Sequence, residues 1–396
     1  MTKPMMKAPS ITKRSTKKRL EVDVQFMTYV FGGGVVQGQC DPVTPVRSAS
    51  VRGQLRYWWR ATVGARCESL AAMKKREAEV WGAIWSGEPQ HGEVGLTVDC
   101  HGIKPTAVND QKGIEYISFP LRTSKAPLWN YGTTPFKVAL CYPEDCEVDV
   151  TSALSAWLTF GGYGARTTRG FGAVKKVDGP ETVFAHPTDL LDAIVKMGPV
   201  CVKGVPAISS DLTRCKIGPE KNSADSAWRG VVGSMQTFRQ GVGVARNHGT
   251  ARREGRSRWP EADAIRVVTG QHSDCHEPEH AGGVAFPRAD FGLPIPFQFI
   301  NPRHQQGRKD PGKMTLKPGK DLERAPSPLI IRPTSANEPM ALWLEGADVP
   351  ESLYLSGARA NRSVTKSVRP GAKLRPHEDL LVSPNAIEAF LKYLSY

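Results

Sequence analysis

Hydrophobic positions along the chain change period several times, and each change marks an element. Val22, Val24, Phe26 and Val30 alternate with polar residues, the period of a strand with one buried face, and the run ends in the glycine turn Phe31-Gly-Gly-Gly34. From Arg47 to Arg60 the period lengthens: Val51, Leu55 and Trp58 fall on one helical face and Arg52, Arg56 and Arg60 on another. Ser48 or Ser50 suits the N-cap of this helix, and Gly53, poor for helix stability, predicts close approach of another backbone near its start. Leu154, Trp157 and Leu158 recur again at helical spacing, whereas Phe171, Ala173, Val174 and Val177 read as a strand, so the stretch between them is a loop from helix to strand.

The turn Asp178-Gly-Pro180 opens a connection to a second unit. There Ser226-Ala-Trp-Arg-Gly-Val-Val232 faintly echoes Ser50-Val-Arg-Gly53, with Arg-Gly again at a helix start. Gly- and Pro-rich stretches at 282–296 and 302–319 read as turns or insertions, and Ile387, Phe390, Leu391 and Leu394 close the chain as a small amphipathic helix. The expected organisation is a basic flexible tail over 1–20, one α+β domain over 21–185 and a second over 195–396. A length of 396 residues suits two domains with real cores.

Charge sharpens this picture. With 53 Lys and Arg against 39 Asp and Glu, the net charge is +14, the footprint of an acidic partner, most often nucleic acid. Lys3, Lys7, Lys13, Arg14, Lys17, Lys18 and Arg19 stand without one acid among them, as in a solubilising tail or a nonspecific RNA contact. No apolar run is long enough for a signal core or a membrane span, so a cytoplasmic protein is expected. Its 8 cysteines are scattered without CxxC pairs, which favours reduced thiols over a disulfide framework.

Three segments carry candidate chemistry. Phe160-Gly-Gly-Tyr-Gly-Ala-Arg-Thr-Thr-Arg-Gly-Phe-Gly-Ala-Val174 packs glycines, arginines and aromatics into one loop. Glycine lets backbone N–H groups approach phosphate, and Arg166 and Arg169 add fork-shaped donors. The loop lacks the Gly-Lys-Ser/Thr ending of a nucleotide-triphosphate loop, and it follows a helix where a dinucleotide fingerprint follows a strand. Arg169-Gly-Phe-Gly matches the opening of the RRM signature, but Ala173 and Lys176 stand where that signature needs aromatics. A tight turn packing a helix on a sheet is the alternative reading of the same glycines. In the second segment, Arg52, Arg56 and Arg60 have no acid between Glu21 and Glu68 other than Asp23 and Asp41, which points to a polyanion face rather than a face of solvated ion pairs. The third, Arg239 to Pro260, alternates glycine and arginine without period. Cationic grooves with aromatic platforms hold single strands, and Trp259 is either such a platform or an anchor to the core.

Ser50-Val-Arg-Gly-Gln-Leu-Arg-Tyr-Trp-Trp-Arg60 and Gly161-Gly-Tyr-Gly-Ala-Arg-Thr-Thr-Arg-Gly-Phe-Gly172 together resemble the RAMP superfamily of CRISPR proteins, and within it the family of first RAMP subunits of type III-B effectors, the Cmr complexes. Gly255-Arg-Ser-Arg-Trp-Pro-Glu261, Phe286-Pro-Arg-Ala-Asp-Phe-Gly-Leu-Pro-Ile295 and Ser327-Pro-Leu-Ile-Ile-Arg-Pro333 look like later blocks of that family. The resemblance implies an α+β fold of two ferredoxin-like (RRM-like) domains with loop insertions. It implies an RNA-binding subunit of an antiviral ribonucleoprotein, without cofactor or chemistry, capping the effector filament near the 3′ end of the guide. Guide crRNA, target single-stranded RNA and other RAMP subunits are the implied partners. The residues expected to meet RNA are Arg47, Ser50, Arg52, Arg56, Trp59 and Arg60 on the helix. In the glycine loop they are Gly161, Gly162, Tyr163, Arg166, Arg169, Gly170 and Phe171, and in the third segment Arg246, His248, Arg252, Arg256, Arg258 and Trp259.

Metal and catalytic constellations are sparse. His272, Cys275, His276 and His280 offer ligand types for one zinc, but the spacing is nonstandard and Pro278 keeps His276 and His280 off a shared helical face, so no metal is expected. No nucleophile elbow, HExxH or framed acidic pair is present. His248 among arginines, as the acid or base of a metal-independent guide-processing endoribonuclease, and Asp41, as the loop aspartate of a target-cleaving backbone subunit, are the rival readings.

Overall fold

The computed structural model describes residues 17–395 apart from positions 37, 110, 125, 251–254, 275, 280–283, 300–306, 358–359, 367–381 and 384. The expected tail therefore lies outside the described residues up to position 16. Its last residues, from Lys18 on, already belong to the first strand, β1 (Lys18–Phe26).

β1 buries Leu20, Val22, Val24 and Phe26 on one face, as the alternation requires. The chain continues through α1 (Ser48–Ala61), α2 (Leu70–Trp81), the hairpin β2 (Ala83–Trp85) and β3 (Glu88–Gln90), and β4 (Gly95–Asp99). An excursion follows in which β5 (Thr106–Val108) and β6 (Leu128–Asn130) pair around α3 (Glu115–Ser124). Then come β7 (Phe136–Tyr142), α4 (Glu147–Phe160) and β8 (Val174–Asp178). These strands form an antiparallel sheet in the order β4-β7-β1-β8, with Val22 opposite Val138 and Val24 opposite Phe136. With α1 and α4 as the two crossing helices, this is the β-α-β-β-α-β ferredoxin-like arrangement. Both helices lie over the sheet, where Trp58 approaches Phe160 at 6.1 Å between ring centroids and Phe26 approaches Phe136 at 5.3 Å.

Two local expectations fail at α1. Arg47 occupies the N-cap position without a side-chain capping bond, and both serines lie inside the helix. Gly53 is exposed and a Cβ there would meet nothing within 4 Å, so no backbone approaches it.

The second unit repeats the plan with one strand fewer. After α5 (Pro187–Lys196), which spans the expected boundary and buries Leu190, Leu191 and Ile194 in the first core, come β9 (Cys215–Ile217) and α6 (Ala224–Gln240). Next are α7 (Glu261–Thr269), β10 (Ile295–Phe297), β11 (Met314–Lys317), β12 (Leu329–Pro333), β13 (Pro339–Trp343), β14 (Ser352–Gly357), β15 (Arg362–Thr365) and α8 (Ala386–Tyr393). The order β12-β13-β9 reproduces β4-β7-β1, and among the described residues no strand takes the place of β8. The two Gly- and Pro-rich insertions are not merely turns. β10 and β11, inserted before β12, join β14 and β15, inserted after β13, in a separate antiparallel sheet β10-β11-β14-β15. Phe286, Leu293, Leu316 and Leu355 fill its core together with Ile265 of α7. Among the described residues no helix is long and apolar enough to cross a membrane.

Candidate nucleic-acid interface

The glycine loop lies in the seam between the two ferredoxin-like units. Its glycines are dictated by backbone conformation and contact: Gly164, Gly170 and Gly172 all have positive φ, and a Cβ on Gly170 would stand 2.8 Å from the carbonyl oxygen of Ile331 in β12. Gly162 faces the Gly172 carbonyl just as closely, at 2.8 Å from a would-be Cβ. Arg169 is buried. It donates to the carbonyl oxygens of Leu329 (2.9 Å) and Phe291 (3.0 Å), while its own carbonyl accepts from the Trp228 indole of α6 (2.8 Å). Burial pushes the Arg169 guanidinium down to about 9, and the nearby cations Arg239 and Arg166 push the same way. From the other side Arg332 of β12 reaches into the first unit, donating to Val174 (2.6 Å), Leu158 (3.3 Å) and Gly161. Phe171 is buried edge-on against Trp228, 5.1 Å between centroids. The Tyr163 hydroxyl donates to Gly33 (3.1 Å) and accepts from the Arg47 N–H (3.2 Å). Gly161, Gly162, Tyr163, Arg169, Gly170 and Phe171 are thus buried, holding the seam and the Gly32–Gly34 turn rather than offering a surface.

The arginine stripe of α1 is likewise satisfied from within. Arg47 donates to Gly33 (3.1 Å) and Gly34 (3.3 Å), and Arg52 to Trp81 and Val94, both at 2.7 Å, which closes the end of α2. Arg56 and Arg60 converge on Glu77 of α2, at 2.7 and 2.5 Å. Burial pushes the Glu77 carboxyl up, but hydrogen bonds from Arg60 and Arg56 outweigh it and hold the carboxyl below its usual range. The counterion absent from the local sequence is supplied by the next helix. Trp59 is fully buried, its indole donating to Asp149 at 2.6 Å, so it has no face for a base. Ser50 is half-buried within the helix.

In the third segment Trp259 is 1% exposed and packs edge-on against Phe238, 5.5 Å between centroids, the anchor and not the platform. Arg256 pairs with Asp263 (2.8 Å) and Glu279 (2.8 Å), and Arg258 donates to Val244 (2.8 Å). His248 is exposed, and Arg246 lines a cleft described below. Arg252 lies outside the described residues, as do Cys275 and His280. His276 bonds Asp310 (3.1 Å), which also pairs with the buried Arg266, and His272 faces the Ser273 carbonyl at 3.1 Å. These two histidines are tied into hydrogen bonds with neighbouring groups, and among the described residues no three His, Cys, Asp or Glu side chains gather as metal ligands.

The structure adds features that local patterning did not show. A cleft of about 470 Å³ opens at the C-terminal end of α6, lined by Gln236, Thr237, Gln240, Gly241, Val242 and Arg246. Beside it Arg239, on the same last turns of α6, lies 5.8 Å above the Tyr116 ring and 5.0 Å above that of Phe291. Arg166, the expected loop arginine that is not spent on the seam, is half-buried with φ of 60°. Tyr116 and Arg239 come from α3 and α6, far apart in sequence; Arg239 opens the third segment but was not among the residues expected to meet RNA, and its contacts with Tyr116 and Phe291 are what single it out.

Residues 23–175 match the model of the RAMP superfamily. No curated protein matches the chain in sequence. Among solved structures it is similar to apo Cmr1 from Pyrococcus furiosus at 18% identity, covering 59% of this chain and 79% of that one with a TM-score of 0.39. It is also similar to a chain of the type III-B Cmr-beta assembly bound to cognate target RNA and AMPPnP, at 10% identity over 96% of this chain and 99% of that one, TM-score 0.46.

Proposed function

From the match of residues 23–175 to the RAMP superfamily model we propose that the chain is a non-catalytic RNA-binding subunit of a type III-B CRISPR effector. In this reading it caps the filament near the 3′ end of the guide crRNA and helps hold the target RNA, next to other RAMP subunits. The observation that carries the reading is the cleft at the end of α6. It is lined by Gln236, Thr237, Gln240, Gly241, Val242 and Arg246, a set with amide and guanidinium side chains and no carboxylate, in a chain of net charge +14. Amide and cationic donors suit a sugar–phosphate backbone, and in guide-directed assemblies base pairing reads the sequence while protein holds the backbone.

The rival catalytic readings find less support. Oδ1 of Asp41 accepts the backbone N–H groups of Val43 (2.9 Å) and Thr44 (2.8 Å), and these bonds hold the carboxyl below its usual range. It shapes its own turn. His248 is exposed, and among the described residues no hydrogen-bonded partner orients it as a base.

Incubation of the purified chain with single-stranded RNA, guide precursor and guide–target duplex tests the proposal. Salt-sensitive binding with all RNAs left intact is expected. Absence of binding sinks the proposal, a product lost in His248→Ala makes the chain a guide-processing nuclease, and target cleavage lost in Asp41→Ala within the assembled complex makes it a slicer.

A further inference from the structure

We propose that Arg166 and Arg239, with Tyr116 and Phe291 as aromatic walls, form a phosphate-binding site across the seam of the two units, and that its ligand is a phosphate of bound RNA. The second half of this statement rests on the RNA-binding reading above. The Nε atoms of both arginines are closed off from solvent with no hydrogen-bond partner, and neither guanidinium has a hydrogen bond or ion pair among the described residues. Their surroundings differ from those of Arg47, Arg52, Arg56, Arg60, Arg169, Arg256 and Arg258, which all have acceptors within the chain.

Half-burying a guanidinium without an acceptor is costly, and placing two beside a third is costlier still. Arg239 is held over Tyr116 and Phe291, and Phe291 supplies through its carbonyl one of the acceptors of buried Arg169. Arg166 precedes Arg169 by one turn of the same loop, its carbonyl accepting from the Arg169 backbone N–H at 2.8 Å, and Arg166 and Arg239 both act on the buried Arg169 guanidinium as neighbouring cations. No carboxylate takes part in either case. Three guanidiniums therefore converge from the glycine loop and α6, one consumed by the seam and two with open donors. A tetrahedral dianion or phosphodiester, which accepts in several directions, complements two such forks. Left-handed backbone at Arg166, at φ 60° and ψ 30°, fixes where that side chain leaves the loop.

Binding of pyrophosphate, and separately of a short single-stranded RNA, would be measured by calorimetry over a salt series for the parent, Arg166→Gln, Arg239→Gln and Lys320→Gln. The last removes an exposed charge elsewhere and controls for net charge. Each arginine variant is expected to weaken both ligands about tenfold or more, and to lower the slope of log affinity against log salt for RNA by about 0.7. Lys320→Gln should match the parent. Parental pyrophosphate binding in both arginine variants, with melting temperatures unchanged, overturns the site. Arginine-dependent pyrophosphate binding with RNA binding unaffected keeps a phosphate site and overturns RNA as its ligand, while leaving the RNA-binding reading intact. If the parent takes pyrophosphate but no RNA, that reading falls and the site remains. Should one variant fail to fold, the other carries the comparison.

Discussion

At the scale of single residues, the arginines divide by where their hydrogen bonds go. Arg332 is 1% exposed and links both units by donating into the first. Burial lowers its pKa to about 9, so it remains charged at neutral pH, and its planar fork spans several carbonyls that a lysine could not reach together. Arg332→Ala leaves those carbonyls without donors and should cost about 3 kcal/mol in urea unfolding. An unchanged midpoint would show that the seam does not depend on it. The Glu77 carboxyl is a second residue whose role has a measurable sign. Its folded pKa lies below the ordinary 4.5, so its contribution to stability is present above about that pH and is lost as pH falls through the folded value. Glu77→Gln should therefore be less stable than the parent at neutral pH, and the gap should narrow in unfolding curves taken on acidification below the ordinary carboxyl range.

At the scale of elements, α1 shows how an amphipathic pattern can be right in its apolar half and misleading in its polar half. Val51, Leu55 and Trp58 are buried where the period placed them. Leu55→Ala should create a cavity costing about 2–5 kcal/mol, seen as a lowered urea midpoint. The arginine face meets α2, because Glu77 lies beyond a turn that no local window includes. Arg52→Ala and Arg56→Ala are accordingly expected to lower stability with little change in the salt slope of RNA binding, in contrast to Arg166→Gln. The glycine loop was legible as a specialised element, and its positive-φ glycines bear that out, but its service as a seam was not legible. Gly170→Ala places a Cβ against the Trp228 indole and the Ile331 carbonyl at a φ of 80°. It should loosen the packing of the units, read as faster amide exchange in both α6 and β12; exchange as slow as in the parent would contradict the seam.

At the scale of the whole molecule, the proposed RNA binding joins the net charge of +14 to the cleft at the end of α6. Binding of RNA by the parent should weaken steeply with salt, because each phosphate neutralised releases counterion, at about 0.7 per contact on single strands. A salt-independent affinity measured by fluorescence anisotropy would remove the electrostatic basis of the proposed function. The sequence by itself determined what depends on local period and composition: β1, α1, α4, the closing helix α8, the RAMP resemblance and the positive charge. Each of these is written within a few turns of chain, where side-chain spacing is set by strand and helix geometry. Only the tertiary structure decided which cations are consumed and which stay open, since Glu77, Leu329, Phe291 and Tyr116 reach the arginines from distant elements. It also decided that two insertions separated by β12 and β13 build one sheet. Pairing between remote strands, like pairing between remote charges, has no period along the chain from which it could be read.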